Sequence, residues 1–241
     1  MPFLNKIFTK SNEFPNEFPF TLPIFAGGID INLKSNVTFF VGENGSGKST
    51  LLEAIAEKCE FNLSGGNRNN MYNFVETESE LCSFLRLSWS PKVNQGFFMR
   101  AESFFNFATH IDDMAKEFGN NVFSTYGGRS LHEQSHGESF LSLFTNRFEQ
   151  GIYLLDEPEA ALSPQRQLSF LSIIHELDTS GEAQLIIATH SPILLSYPGA
   201  TILSFDNDSI TPISYKDTEP YKLTKDFLNN PERYLKYLFD A

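Results

Sequence analysis

The feature that most constrains this chain is a junction. Val37-Thr38-Phe39-Phe40-Val41 is a continuous apolar run, and it stops at the loop Gly42-Glu43-Asn44-Gly45-Ser46-Gly47-Lys48-Ser49. A short run rich in β-branched and aromatic residues suits a strand buried on both faces. Beyond the loop, Leu51, Leu52, Ile55 and Cys59 recur at helical spacing. Strand, glycine loop and helix in this order form the context in which G-x-x-x-x-G-K-[ST] cradles a nucleotide phosphate. The glycines let several N–H groups converge on phosphate oxygens, and the helix start adds its positive end. Lys48 then brings a compact charge to the β- and γ-phosphates, Ser49 offers a hydroxyl to Mg²⁺, and Thr50 extends the binding set into the helix. A chance match in a glycine-rich turn would need neither flanking element.

The remaining chain is read around that junction. Phe14-Pro15, Phe18-Pro19 and Ala26-Gly27-Gly28 punctuate residues 1–36 and suit short edge strands and turns. From about 60 to 136 the character changes to an Asn-rich, turn-prone stretch. Within this portion a helix is expected between Ala101 and Phe118, with Phe104, Ala108, Ile111, Ala115 and Phe118 on one face and Gly119 as its stop. After Ser135 regularity returns: a helix with Phe140, Leu141, Phe144 and Phe148, the strand Ile152–Leu155, and a helix capped by Ser163-Pro164 carrying Leu168, Leu171, Ile174 and Leu177. The strand Leu185–Ala188 follows, and a last helix opened by Asn230-Pro231 is expected to pack back on the domain. Alternating strands and helices predict an α/β fold with a mostly parallel sheet flanked by helices, right-handed crossovers and an antiparallel N-terminal edge. Residues 1–241 are read as one domain, with a partly helical subdomain inserted at about 60–145.

Ile152-Tyr153-Leu154-Leu155-Asp156-Glu157 is an apolar strand ending in two carboxylates. With a phosphate loop upstream, Asp156 is the candidate holder of Mg²⁺ and Glu157 the candidate that polarises the attacking water. Composition narrows the partners. A net charge of −12 repels nucleic acid and anionic membranes at long range, and no Lys/Arg run offsets it, so direct nucleic-acid binding stays open. Two cysteines, Cys59 and Cys82, with no CxxC, suit a reducing cytoplasm and argue against a disulfide framework or a zinc site. Met1 to Lys10 does not read as a signal peptide, and no apolar run approaches the ~20 residues of a membrane helix. Any membrane anchor would have to come from another chain. The 25 Phe residues speak of core packing and not of chemistry.

These residues together resemble the ATP-binding-cassette (ABC) class of P-loop ATPases, which includes transporter motors and chromosome-maintenance and repair ATPases. Asp156-Glu157-Pro158-Glu159-Ala160-Ala161-Leu162-Ser163-Pro164 looks like a Walker B motif and D-loop, Thr189-His190-Ser191-Pro192 like the switch-histidine loop, and Ser135-His136-Gly137-Glu138 like the family signature. The wording is closer to small bacterial AAA-type and repair-type (SMC/Rad50/OLD-like) ATPases than to transporter subunits, whose signature is usually Leu-Ser-Gly-Gly-Gln. The resemblance spans about residues 20 to 205. It implies ATP and Mg²⁺ as ligands and a head-to-tail homodimer formed on ATP binding, in which Ser135, Gly137 and Glu138 of one copy cap the γ-phosphate held by the other. His190 would sense that phosphate, and the family's Q-loop metal contact would fall to Glu102 or, alternatively, Gln95. Ser135-x-x-Glu138 is equally an ordinary capping box, and both descriptions can hold. His110, His132 and His175 are read as structural or surface residues. The expected output is ATP-driven conformational change in an effector protein, in DNA maintenance or mobile-element defence. A transporter motor subunit and a non-hydrolysing nucleotide switch are the alternatives.

Overall fold

In a computed structural model the structure describes residues 1–11, 13–63, 79–119, 121–123, 128–130, 132, 136–147 and 150–239. In chain order the elements are β1 (Leu4–Thr9), α1 (Pro23–Ala26), β2 (Asp30–Asn32), β3 (Val37–Val41), α2 (Lys48–Lys58), α3 (Glu80–Phe84), β4 (Leu85–Trp89), β5 (Gly96–Arg100) and α4 (Phe104–Phe118). They continue as α5 (His136–Arg147), β6 (Gly151–Asp156), α6 (Pro164–Ser180), β7 (Ala183–Ala188), β8 (Thr201–Asn207), β9 (Ser209–Pro212), α7 (Glu219–Asn229) and α8 (Pro231–Phe239).

Two sheets carry the fold. A six-stranded sheet has the order β5-β6-β7-β3-β8-β9, parallel throughout except for the β8–β9 hairpin. A three-stranded antiparallel sheet, β2-β1-β4, gathers the N-terminal strands. The stretch from 80 to 100 supplies a strand to each sheet. The sheets are tied by Gln184 at the start of β7: its Oε1 accepts Leu4 N–H and its Nε2 donates to Leu4 C=O, both at 2.8 Å and fully buried. The apolar runs of β3, β6 and β7 are buried along their whole length because helices and the second sheet cover both faces.

Three details differ from the helical patterns. On α4, Phe104, Ala108, Ile111 and Ala115 are buried but Phe118, at the helix end, is exposed. On α6, Leu168 is exposed, and the covered face is Gln167, Phe170 and Ile174, one position out of phase. Gln167 is buried because its amide has work there: Nε2 donates to Leu162 C=O and Oε1 accepts Ser191 Oγ–H at 2.6 Å. The C-terminal α8 packs on α7 and not on the core, leaving Leu228, Leu238 and Phe239 exposed. Phe148 lies outside the described residues. No helix among the described residues is long and apolar enough to cross a membrane.

Candidate functional site

Strand order decides where the sequence motifs meet. β7 lies between β3 and β6, and the register pairs Phe40 with Ala188 and Asp156 with Ala188. The residues that follow these strand ends therefore emerge side by side, at the carboxyl edge where open α/β sheets bind ligands. Backbone bonds continue past the strands, with Thr189 N–H donating to Phe40 C=O at 3.1 Å and Glu157 N–H to Ala188 C=O at 2.9 Å. The Gly42–Ser49 loop, the Asp156-Glu157 pair and His190 are neighbours for that reason.

Within the loop, Lys48 is buried and folded inward. Its Nζ donates to Gly42 C=O at 2.6 Å and Glu43 C=O at 2.8 Å. Burial lowers the Lys48 pKa, against the opposing pull of Glu157, Asp206, Asp156 and Glu159. Gly47 sits at φ +96°, and a Cβ there would meet the Phe25 ring at 2.9 Å, so both conformation and space require glycine. α1 thus acts as a wedge behind the loop. Ser49 Oγ–H donates to Asp156 Oδ1 at 3.0 Å, which brings the loop hydroxyl onto the acidic strand end. Thr50 lies one position further into α2.

Glu157 adopts φ 50°, ψ 52°, a left-handed conformation unusual for a side chain with a Cβ. Such backbone outliers concentrate at functional sites. Its Oε1 is 3.9 Å from His190 Nε2, too far for a hydrogen bond but adjacent. His190 Nε2 is buried without a partner among the described residues. The loop that carries His190 is pinned by Glu159, whose Oε1 accepts His190 N–H at 2.7 Å. Burial raises the Glu159 carboxyl pKa in spite of hydrogen bonds that favour its charged form.

Several site residues carry no sequence motif. Arg100 ends β5 directly opposite Asp156; its Nε donates to Asp156 Oδ2 at 2.8 Å, and its Nη2 pairs with Glu53 of α2. Asp206, at the end of β8, accepts Glu43 N–H at 2.8 Å and so fixes the start of the phosphate loop. A signal for Arg100 existed: aligning Gly96–Arg100 with Ile152–Asp156 end to end places it there. Glu102 lies exposed in the turn just after β5, close in sequence to this group. Gln95 precedes β5, with its C=O accepting Ile152 N–H, at the opposite end of the sheet from Asp156. It is not part of the cluster.

His136, Gly137 and Glu138 open α5. Ser135 lies outside the described residues. Gly137 is buried, and a Cβ on it would strike Arg166 Cδ at 2.4 Å, so the Arg166 side chain of α6 lies directly against the backbone at the start of α5. Glu138 pairs with Arg166 Nη2 at 3.3 Å. Of the remaining histidines, His132 Nε2 meets Thr109 Oγ1, His175 Nδ1 meets the Tyr197 hydroxyl, and burial lowers the pKa of His110.

Two family models of AAA domains match the chain. One, described as "AAA domain", covers residues 22–107; the other, described as "AAA domain, putative AbiEii toxin, Type IV TA system", covers residues 130–196. Among solved structures, cbiO1 from Clostridium perfringens, part of the ABC transporter complex cbiONQ, aligns at TM-score 0.51 and 17% identity over 99% of this chain and 100% of its own. An SMC head bound to the C-winged helix domain of ScpA aligns at TM-score 0.52 and 14% identity over 88% of this chain and 98% of its own. The chain has the fold of an ABC-type, SMC-like P-loop ATPase. No curated protein matches it in sequence. The ABC-type fold accounts for the mixed architecture seen here, a six-stranded, mostly parallel sheet beside a small antiparallel one.

As a test for Mg²⁺, the candidate donors are hard oxygens: the Asp156 carboxylate and the Ser49 hydroxyl, 3.0 Å apart. Mg²⁺ at phosphate sites takes one or two protein oxygens, keeping water and phosphate for the rest, so this donor pair fits.

Proposed function

We propose that this chain binds ATP with Mg²⁺, hydrolyses it to ADP and phosphate, and works as a head-to-tail homodimer that drives an effector protein. The observation that carries the reading is the Ser49–Asp156 hydrogen bond, which joins the phosphate loop to the acidic strand end with Glu157 and His190 alongside. Lys48 and the loop amides of Gly42 to Ser49 stabilise charge on the transferring phosphoryl group. Glu157 orients the attacking water and accepts its proton. His190, held at its backbone by Glu159, reads the γ-phosphate. Ser49 and Asp156 would hold Mg²⁺, which supplies charge neutralisation of the phosphates when bound. In trans, Ser135, Gly137 and Glu138 of the second copy cap the phosphate.

The SMC-head and ABC-subunit likenesses support a motor whose output is movement. We assign that output to DNA maintenance or mobile-element defence in the cytoplasm, through an effector protein. Glu157→Gln tests the chemistry. Loss of a positioned general base lowers turnover by roughly 10²–10⁴-fold, and the variant should accumulate as a dimer with ATP in size-exclusion chromatography. Turnover at the parental rate would show that Glu157 is not the base.

A further inference from the structure

At the far end of α2 from the phosphate loop lies a recess of about 220 Å³ that takes no part in the site above. It is lined by Lys58 at the end of α2, by Arg86 and Trp89 of β4, and by Lys92 and Asn94 of the following loop. Ten helical steps separate Lys48 from Lys58, about 15 Å at 1.5 Å per residue.

Its charge runs against the rest of the molecule. The chain has 30 carboxylate residues against 18 Lys and Arg, yet three of those cations line this recess and none of its lining residues is acidic. Lys58 and Lys92 form no ion pair among the described residues. Arg86 is held in place by two carbonyls, with Nη1 donating to Leu85 C=O at 2.7 Å and Ser83 C=O at 3.1 Å, which keeps its charge and leaves its other N–H groups available. Trp89 is half-buried, and among the described residues its indole N–H has no acceptor and its ring no aromatic or cationic partner. Its lining residues thus carry ammonium, guanidinium, indole and amide donors, with the Asn94 amide oxygen as the one strong side-chain acceptor.

A donor-rich recess of this kind matches a compact dianion with several acceptor oxygens. At about 220 Å³ it falls below the roughly 300–1,000 Å³ of pockets that enclose a whole organic ligand. A single phosphate fits, with the remainder of its carrier outside or against the Trp89 ring. We propose that this recess is a second phosphate site, distinct from the Gly42–Ser49 loop, that takes a phosphate monoester. The carrier is either a small molecule or the 5′ end of a nucleic-acid strand.

Trp89 is the one Trp in the chain, so its fluorescence reports this recess directly. The full-length chain is titrated at constant ionic strength with inorganic phosphate, a 5′-phosphorylated single-stranded DNA dodecamer, and the same dodecamer with a 5′-hydroxyl. A saturable change with inorganic phosphate is expected, retained in Lys48→Ala, weakened at least tenfold in Lys58→Gln/Lys92→Gln, and restored to within threefold in Lys58→Arg/Lys92→Arg. Tenfold tighter binding of the phosphorylated dodecamer than of inorganic phosphate assigns the strand end; comparable binding of the two assigns a small carrier. No saturable change, an unaltered response in the double Gln variant, or loss of the response in Lys48→Ala overturns the site. Equal binding of the two dodecamers overturns the monoester assignment. None of these outcomes depends on whether the chain hydrolyses ATP.

Discussion

Arg100→Leu is the perturbation that best separates what holds the acidic strand end from what reacts there. Asp156 has a side chain only 5% exposed, and among the described residues Arg100 Nε is its one cationic hydrogen-bond partner. Breaking a fully buried ion pair on one side costs about 3–5 kcal/mol, because the remaining charge is left without compensation. Here the Arg100 side chain is 32% exposed and Ser49 still donates to Asp156 Oδ1, so the cost falls below that range, at about 2–3 kcal/mol. For a chain of this size each kcal/mol lowers the melting temperature by roughly 2–4 °C, giving a fall of about 4–12 °C. The assay is thermal unfolding by circular dichroism in EDTA, so that no divalent cation replaces the guanidinium. Adding Asp156→Asn removes the orphaned charge, and the double variant should recover part of the loss, a coupling of about 1 kcal/mol or more. A melting temperature within about 1 °C of the parent, or no recovery on adding Asp156→Asn, would refute the assignment of Arg100 as the support of Asp156.

Two further outcomes follow from buried polar groups. Gln184→Leu leaves both Leu4 backbone groups without partners in a fully buried position, at about 1–3 kcal/mol each, so urea unfolding should show a loss of roughly 2–6 kcal/mol; a loss below about 1 kcal/mol would mean that Gln184 is not the tie between the sheets. Glu159 has a folded-state pKa above its unfolded value, so the folded chain binds the proton more readily and stability falls as pH rises from the unfolded towards the folded pKa. Glu159→Gln keeps an acceptor for His190 N–H and removes that charge, so it should stabilise the chain at pH 7 and lose this advantage below the ordinary Glu range. A variant less stable than the parent at pH 7, or equally advantaged at pH 4 in urea unfolding, would contradict the burial argument.

The parts of the fold legible in the sequence are those whose environment is uniform along their length. β3, β6 and β7 are covered on both faces, so burial writes itself as an unbroken apolar run, and each run ends where its reactive residues begin. Helices were harder to phase. On α6 the covered face includes Gln167, a polar residue satisfied by Leu162 and Ser191, which no hydrophobic pattern selects. Arg100, Asp206 and Glu53 escaped for another reason: each acts through a residue more than 45 positions away, and only strand register or a chain crossing brings them together. Gln95 lies away from Asp156 on the same ground, since the length of β5 separates it from the strand end that Arg100 occupies. The cations of the α2 recess are scattered singly through Lys58, Arg86 and Lys92, and scattered charges look like solvated surface until the fold gathers them.

The electrostatics of the strand ends bear on the proposed dependence on Mg²⁺. Asp156, Glu157, Glu159 and Asp206 all act on Lys48, and Glu53 adds a fifth carboxylate through Arg100. Two cations, one of them with a pKa already lowered by burial, face five carboxylates. A triphosphate entering this cluster meets repulsion that the loop amides and the α2 dipole offset only in part, the dipole amounting to roughly half a positive charge. Hydrogen bonds alone leave the charge unbalanced, so nucleotide binding must import a cation together with the phosphates. The affinity for ATP should accordingly be far weaker in EDTA than with Mg²⁺, and Asp156→Asn should narrow that difference from both sides, by lessening the repulsion and by weakening the hold on the ion. Equal ATP affinity in EDTA and in Mg²⁺, measured by equilibrium dialysis, would be incompatible with this balance of charge.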